Sequence, residues 1–354
     1  MRLVKKLPTF VLAALLGVAL VACGDGGDDD DDDDDDDDVV DPNGEHYNSV
    51  FTTLALPTTP TLQNEYAMNI DGDPQDRGDN ALGGVLATLA LQDVDLQTPI
   101  DENIASGDII LLADVQATSL TQAAGVGLQI LRGENPDPAA CGTASGACVE
   151  GACATAGEIC VDDMCTPCSL HLEGGATFDI APDSPADSVM AGNIIGGAFT
   201  GGPGTVQIQL SLDATAPPIT LNLKGARSEV TVAADGTVSG KLGGAITKED
   251  IDTQVVPGVA NLAMNAIAND CDPEMEPCCP EGSTGGQFAM LFDADDNCEI
   301  TLEEVQTNTI VTSVLQPDLD LFDADGNFNP RVDDGKDSLS LGVGYTTVTA
   351  SFTP

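Results

Sequence analysis

A chain of 354 residues carries 59 Asp plus Glu against 11 Lys plus Arg, a formal net charge of −48. So acidic a polymer is repelled by a phosphate backbone and offers no basic patch, which excludes nucleic acid as a partner and argues against binding anionic lipid through the folded body. Its 42% hydrophobic share is enough for a core, yet aromatics are 3% with no Trp, so Val, Leu, Ile and Ala must build that core, which favours β-sheet and disfavours a sugar-binding platform.

Residues 1–22 read as a targeting segment. Arg2, Lys5 and Lys6 precede a short apolar stretch, 10–21, well below the roughly 20 apolar residues of a membrane span. The stretch ends in Leu20-Val21-Ala22-Cys23, which resembles a bacterial lipobox. In that family the cysteine is diacylated and becomes the mature N-terminus, so the resemblance implies a lipid anchor on Cys23 and a place in the bacterial cell envelope. An ordinary secretory signal with a chance cysteine is the alternative. Gly24 stands where enterobacterial lipoproteins carry an aspartate retention signal, which points to the outer membrane or cell surface. Residues 23–45, with the aspartate run 28–38, form an acidic tether that self-repulsion keeps extended.

Residues 46–354 read as one β-rich body. An irregular or edge strand is expected over 47–60, interrupted by Pro57 and Pro60. Asp71, Asp73, Asp76 and Asp79 follow, and their loop resembles the aspartate loops of thrombospondin type 3 repeats. It reads equally as a polar turn whose Asp79 or Asn80 caps a helix over 81–91. A short helix near 98–105 leads to strands over 108–118 and 125–131. Alternation at Val206, Ile208, Leu210 and Leu212, then at Ile219, Leu221 and Leu223, then at Val230 and Val232, predicts an antiparallel meander or sandwich. Thr247 followed by Asp250 marks a helix start, with a kink expected at Pro257-Gly258. A further helix is expected over 302–315. The last strand, 339–352, alternates in odd positions to Tyr345 and in even positions from Val348, which predicts a bulge at Thr346-Thr347. The fold class is therefore α+β, dominated by antiparallel sheet, with a disulfide-rich insertion at 141–168 and a calcium-loop region at 285–337.

Eleven cysteines become an even ten once Cys23 is set aside. In an exported chain these predict disulfides. Cys141, Cys148, Cys153, Cys160, Cys165 and Cys168 form one cluster; Cys271, Cys278, Cys279 and Cys298 form the other. Cys165-Thr-Pro-Cys168 could hold zinc, but with only His46 and His171 in the chain a disulfide knot is preferred. Connectivity among the six stays open. A bond between adjacent Cys278 and Cys279 would be strained, which makes Cys298 a plausible partner for the second cluster.

Cys298 sits in the most informative stretch, residues 291–304. Asp293, Asp295 and Asn297 alternate, Glu299 stands seventh, Ile300 eighth, Thr301 ninth and Glu304 twelfth. That is the ligand spacing of an EF-hand calcium loop, in which side-chain oxygens at places 1, 3 and 5, a carbonyl at 7 and a carboxylate at 12 wrap a hard cation. Leu291-Phe292 before the loop extends the resemblance to an EF-hand entering helix. The departure is place 6, normally Gly because the turn needs φ > 0, here Cys298, at a strain of about 1 kcal/mol. An Asp-capped helix start is the bland alternative. Thirty residues on, Leu321-Phe-Asp-Ala-Asp-Gly-Asn327 repeats six of seven positions of 291–297. Asp323, Asp325 and Asn327 offer alternate oxygens again, but Pro330 is eighth and Asp334 twelfth, so this loop reads as degenerate, completed by Asp333, Asp334 or Asp337.

No catalytic motif stands out: there is no G-x-S-x-G elbow, no H-E-x-x-H and no phosphate-cradling glycine loop. A non-enzymatic, calcium-binding, disulfide-stapled envelope lipoprotein with structural calcium is the leading expectation. Overall the chain resembles uncharacterised bacterial lipoproteins that carry an EF-hand-like loop. An adhesion or envelope-scaffold protein binding another surface protein is the alternative, and a calcium-dependent hydrolase the third.

Overall fold

The computed structural model describes residues 39–353, except 74–77, 92–93, 150–152, 156, 162, 186–187, 212–217, 276 and 331–334. The targeting segment, Cys23, the aspartate run, Asp76, Asp333 and Asp334 lie outside the described residues. Alternating apolar residues set the strands, since every second side chain faces the same way. They are β1 (Glu45–Ala55), β2 (Leu111–Ala117), β3 (Gln122–Asp137), β4 (Gly146–Ala147), β5 (Glu158–Val161), β6 (Met164–Pro167), β7 (Ala176–Ile180), β8 (Val189–Ile195), β9 (Ala198–Leu210), β10 (Ile219–Val232), β11 (Val238–Thr247) and β12 (Ser338–Ser351). Helices α1 (Pro60–Tyr66), α2 (Ala81–Ala90) and α3 (Gln97–Ser106) lie between β1 and β2. Helices α4 (Lys248–Asp250), α5 (Val256–Asp270), α6 (Thr284–Phe292), α7 (Leu302–Thr307) and α8 (Thr309–Val314) lie between β11 and β12.

Eight strands close on themselves in the order β1-β2-β3-β8-β9-β10-β11-β12, each pair antiparallel. The expected meander is present from β8 to β12, but it is part of a barrel and not one sheet of a sandwich. Closure comes from β1, which pairs with β2 on one side and with β12 on the other, from Ser49↔Thr349 to Ala55↔Gly344. The expected edge strand is thus an interior stave. Its prolines fall outside the strand, and Pro60 opens α1 where no N–H is needed. Closing the ring removes both sheet edges, each a row of unpaired backbone groups.

The barrel interior is aliphatic, as the composition required. Leu128, Ile130, Met190, Ile194, Val206 and Leu223 are completely or almost completely buried, with Phe51 stacked on Tyr345 at 4.6 Å. A smaller cluster, Val50, Ile110, Leu112, Leu131, Ala176 and Phe178, lies apart from this core. Val348, Ala350 and Phe352 pack on it, whereas Leu339, Leu341, Val343 and Tyr345 belong to the barrel core. The change of phase along β12 is therefore a change of face, covered by β7, which pairs with the ends of β3 and β12. The extra residue at the irregularity is Thr52 of β1, between Phe51↔Thr347 and Thr53↔Thr346, and not one of the two threonines of β12.

Gly342 shows why small residues recur on the staves. A Cβ there would stand 2.1 Å from the Tyr66 carbonyl oxygen, so only glycine lets α1 lie against β12.

Tyr345 is buried, and its hydroxyl hydrogen bonds that of Ser228 at 3.0 Å. Burial raises its phenol above the ordinary value of 10.0, with the Ser228 bond opposing the shift. A raised folded-state value means that the contribution to stability is intact below the unfolded value and is lost as pH climbs past it. From about pH 10 upward, unfolding free energy should fall by about 1.4 kcal/mol per pH unit on this account, a slope that Tyr345→Phe removes in denaturant titrations.

Candidate metal centre

The loop 293–301 is held between α6 and α7. Ser283 caps α6 by accepting from the Gly286 N–H at 3.0 Å. Phe288 and Phe292 stack at 5.9 Å on its buried side, so the helix ends anchored and Asp293 is the first residue beyond it. At the far end Thr301 and Glu304 form a capping box. Glu304 N–H donates to Thr301 Oγ1 at 3.2 Å, and Thr301 N–H donates to Glu304 Oε2 at 2.8 Å.

These two helix ends bring Asp293, Asp295 and Glu304 together, each offering an oxygen within 4.8 Å of the others. Asp293 accepts from the Asn297 N–H at 3.0 Å and the Cys298 N–H at 2.8 Å, which curls the backbone around it. Glu304 Oε1 accepts from the Ala294 N–H at 3.0 Å, drawing the twelfth place to the second. Asn297 Oδ1 accepts from the Glu299 N–H at 2.7 Å, and the Thr301 hydroxyl donates to Glu304 Oε2 at 2.9 Å. Cys298 adopts φ +66°, the left-handed backbone expected of the sixth place, and Ile300 at the eighth is buried in the main core. Desolvation is the largest single influence on the Glu304 carboxyl and raises it, but the hydrogen bonds from Thr301 and Ala294 together outweigh it and hold the group below its ordinary range. The donor set is all oxygen and mostly anionic, which suits a hard divalent cation. Three carboxylates this close also repel one another, and a bound cation offsets that repulsion.

The structure pairs Cys298 with Cys278 and Cys271 with Cys279, leaving the adjacent cysteines unbonded to each other. The other cluster pairs Cys141–Cys168, Cys148–Cys160 and Cys153–Cys165, stapling the small sheet β4-β6-β5. The two C-x4-C repeats thus bond to each other and not within themselves, and no thiolate of these six is left for zinc.

The second loop is built differently. Asp323 accepts from the Asp325 and Asn327 N–H groups at 3.0 and 2.9 Å, and both Asp323 oxygens lie 3.3 Å from Asn327 Nδ2. Asp337 accepts from the Leu321 and Phe322 N–H groups, clamping the loop's neck. Among the described residues no third carboxylate joins Asp323 and Asp325. In the first aspartate loop, Asp79 accepts from the Ile70 N–H at 2.8 Å and Asn80 caps α2 through the Gly83 N–H at 3.1 Å.

Asn308 is the site residue that sequence reading passed over. The expected helix over 302–315 is two helices, because Asn308 is extended and caps α8 by accepting from Ile310 and Val311 N–H. Its amide donates to the Leu291 carbonyl at 2.6 Å, fastening α8 to the last turn of α6. An Asn before Thr-Ile-Val is an N-cap signal, but the apolar period running through it reads as one helix. In comparisons with protein-family models, curated proteins and solved structures, nothing matches this chain.

Proposed function

We propose that this protein is a calcium-binding, disulfide-stapled lipoprotein of the bacterial cell envelope, in which the ion held by the 293–304 loop is structural. The observation that carries the calcium reading is the convergence of Asp293, Asp295 and Glu304 within 4.8 Å on a loop whose sixth residue has φ +66°. Asn297 and the Glu299 carbonyl complete the set in this reading, with Thr301 at the ninth place. The second loop, through Asp323, Asp325, Asn327 and Asp334, is proposed as a weaker site. The envelope assignment rests on the sequence, through the lipobox ending at Cys23 and the acidic tether that follows.

Extracellular calcium modules bind at about 10⁻⁴ to 10⁻³ M, matched to a steady external supply. A structural ion of that affinity suits a body this acidic, since net charge far from zero works against compaction. Calorimetric titration of the oxidised protein with calcium is the test. Saturable binding that Asp293→Ala abolishes is the expected result; absence of calcium heat at millimolar concentrations would remove the reading.

A further inference from the structure

The helices do not close the barrel mouth completely. Ile100 and Leu221 are buried to 0 and 1%, whereas Leu82, Leu86, Val255, Phe288, Phe292 and Val311 keep 6 to 9% exposure. These side chains surround a cavity of about 160 Å³ between α2, α3, α5, α6, α8 and the adjoining ends of β9 and β10. Every described residue lining it is Leu, Ile, Val or Phe. Its floor is Leu210, Ile219 and Leu221, and its solvent side is marked by Leu291, Ile310 and Val314, exposed to 38, 51 and 38%.

We propose that this cavity is a binding site for one unbranched alkyl chain, entering between α6 and α8 and carried on a head group without negative charge. Three observations select that occupant. With no polar side chain among the described residues of the wall, a ligand that brought hydrogen-bonding groups inside would leave them unsatisfied. The volume matches that of apolar cavities, about 150 Å³, that stay dry and accept a small hydrocarbon, and it is smaller than the roughly 400 Å³ that one turn of a helix about 10 Å across would fill. The chain's net charge of −48 disfavours an anionic head at the entrance, where Asp293 directly follows the α6 residues of the wall. The inference stands apart from the calcium reading and does not require it.

The test is titration of the oxidised protein with the straight-chain alcohols from 1-butanol to 1-decanol, followed by calorimetry and methyl NMR. All titrations use one calcium-containing buffer, so loop occupancy is constant. Saturable one-to-one binding is expected, tightening about fourfold for each added methylene and levelling off when the chain outgrows the cavity. The methyls of Ile100, Ile219 and Ile310 should shift together, and octanoate should bind more weakly than 1-octanol. Val259→Phe, which fills the space from α5, should weaken 1-octanol at least about tenfold. Leu89→Trp does the same from α2 should the first variant not fold. Binding without saturation, shifts confined to other methyls, or unchanged affinity in a folded cavity-filled variant would each overturn the proposal.

Discussion

Removing calcium from the oxidised protein should lower its melting temperature by roughly 5 °C relative to a hundredfold excess of calcium over Kd, the equivalent of about 2.7 kcal/mol. Glu304→Gln should sit at the calcium-free value whether or not calcium is present. The choice of glutamine matters because the proposed function gives Glu304 two tasks. One is the capping box with Thr301, which an amide oxygen can also fill. The other is the carboxylate at the twelfth place, which an amide cannot supply to a hard cation with the same charge. Glutamine therefore keeps α7 and loses the ion, whereas Glu304→Ala should lose both and melt lower still by about 1 kcal/mol of stability. Differential scanning calorimetry of the three proteins, with calcium and with chelator, separates the roles. A wild-type melting point indifferent to chelation would show that the ion, if bound, is not structural.

The disulfide between Cys278 and Cys298 should be worth about 3 kcal/mol to the loop region by the chain-entropy account, given its separation of 20 residues. The instructive comparison is between two ways of removing it. Cys278→Ser with Cys298→Ser keeps a side chain at φ +66°, while Cys278→Ser with Cys298→Gly relieves that backbone. The glycine variant should recover about 1 kcal/mol of what the serine variant loses, and should bind calcium more tightly than it does. Urea titration and calcium calorimetry on both variants check this. Equal stability of the two would mean that the left-handed residue costs nothing there, and that the disulfide does not stand in for the missing glycine.

The local features were legible because each is written in a few neighbouring residues. The spacing of the oxygen-bearing residues from Asp293 to Glu304, the caps at Asn80 and Thr247, and the alternation at Val206 to Leu210 each lie within one short stretch of chain. Excluding a Cys278–Cys279 bond was likewise a matter of adjacent geometry, which left Cys298 as a partner. The break at Asn308 was just as local, and there a continuing apolar period outweighed a single capping residue.

Legible from residue order alone are particular local states: the strands that alternate, the helix starts after Asn80 and Thr247, the oxygens that share the 293–304 loop, and a core that must be aliphatic. Long-range packing alone settles that β1 and β12 meet and close a barrel, that β12 serves the interior with one face and the cluster beside β7 with the other, and that seven elements leave an apolar cavity at the mouth. The physical reason is range. Alternation tells a strand to have two faces but not which distant strand completes its hydrogen bonds, and a residual cavity is fixed only by how large side chains from remote segments happen to meet.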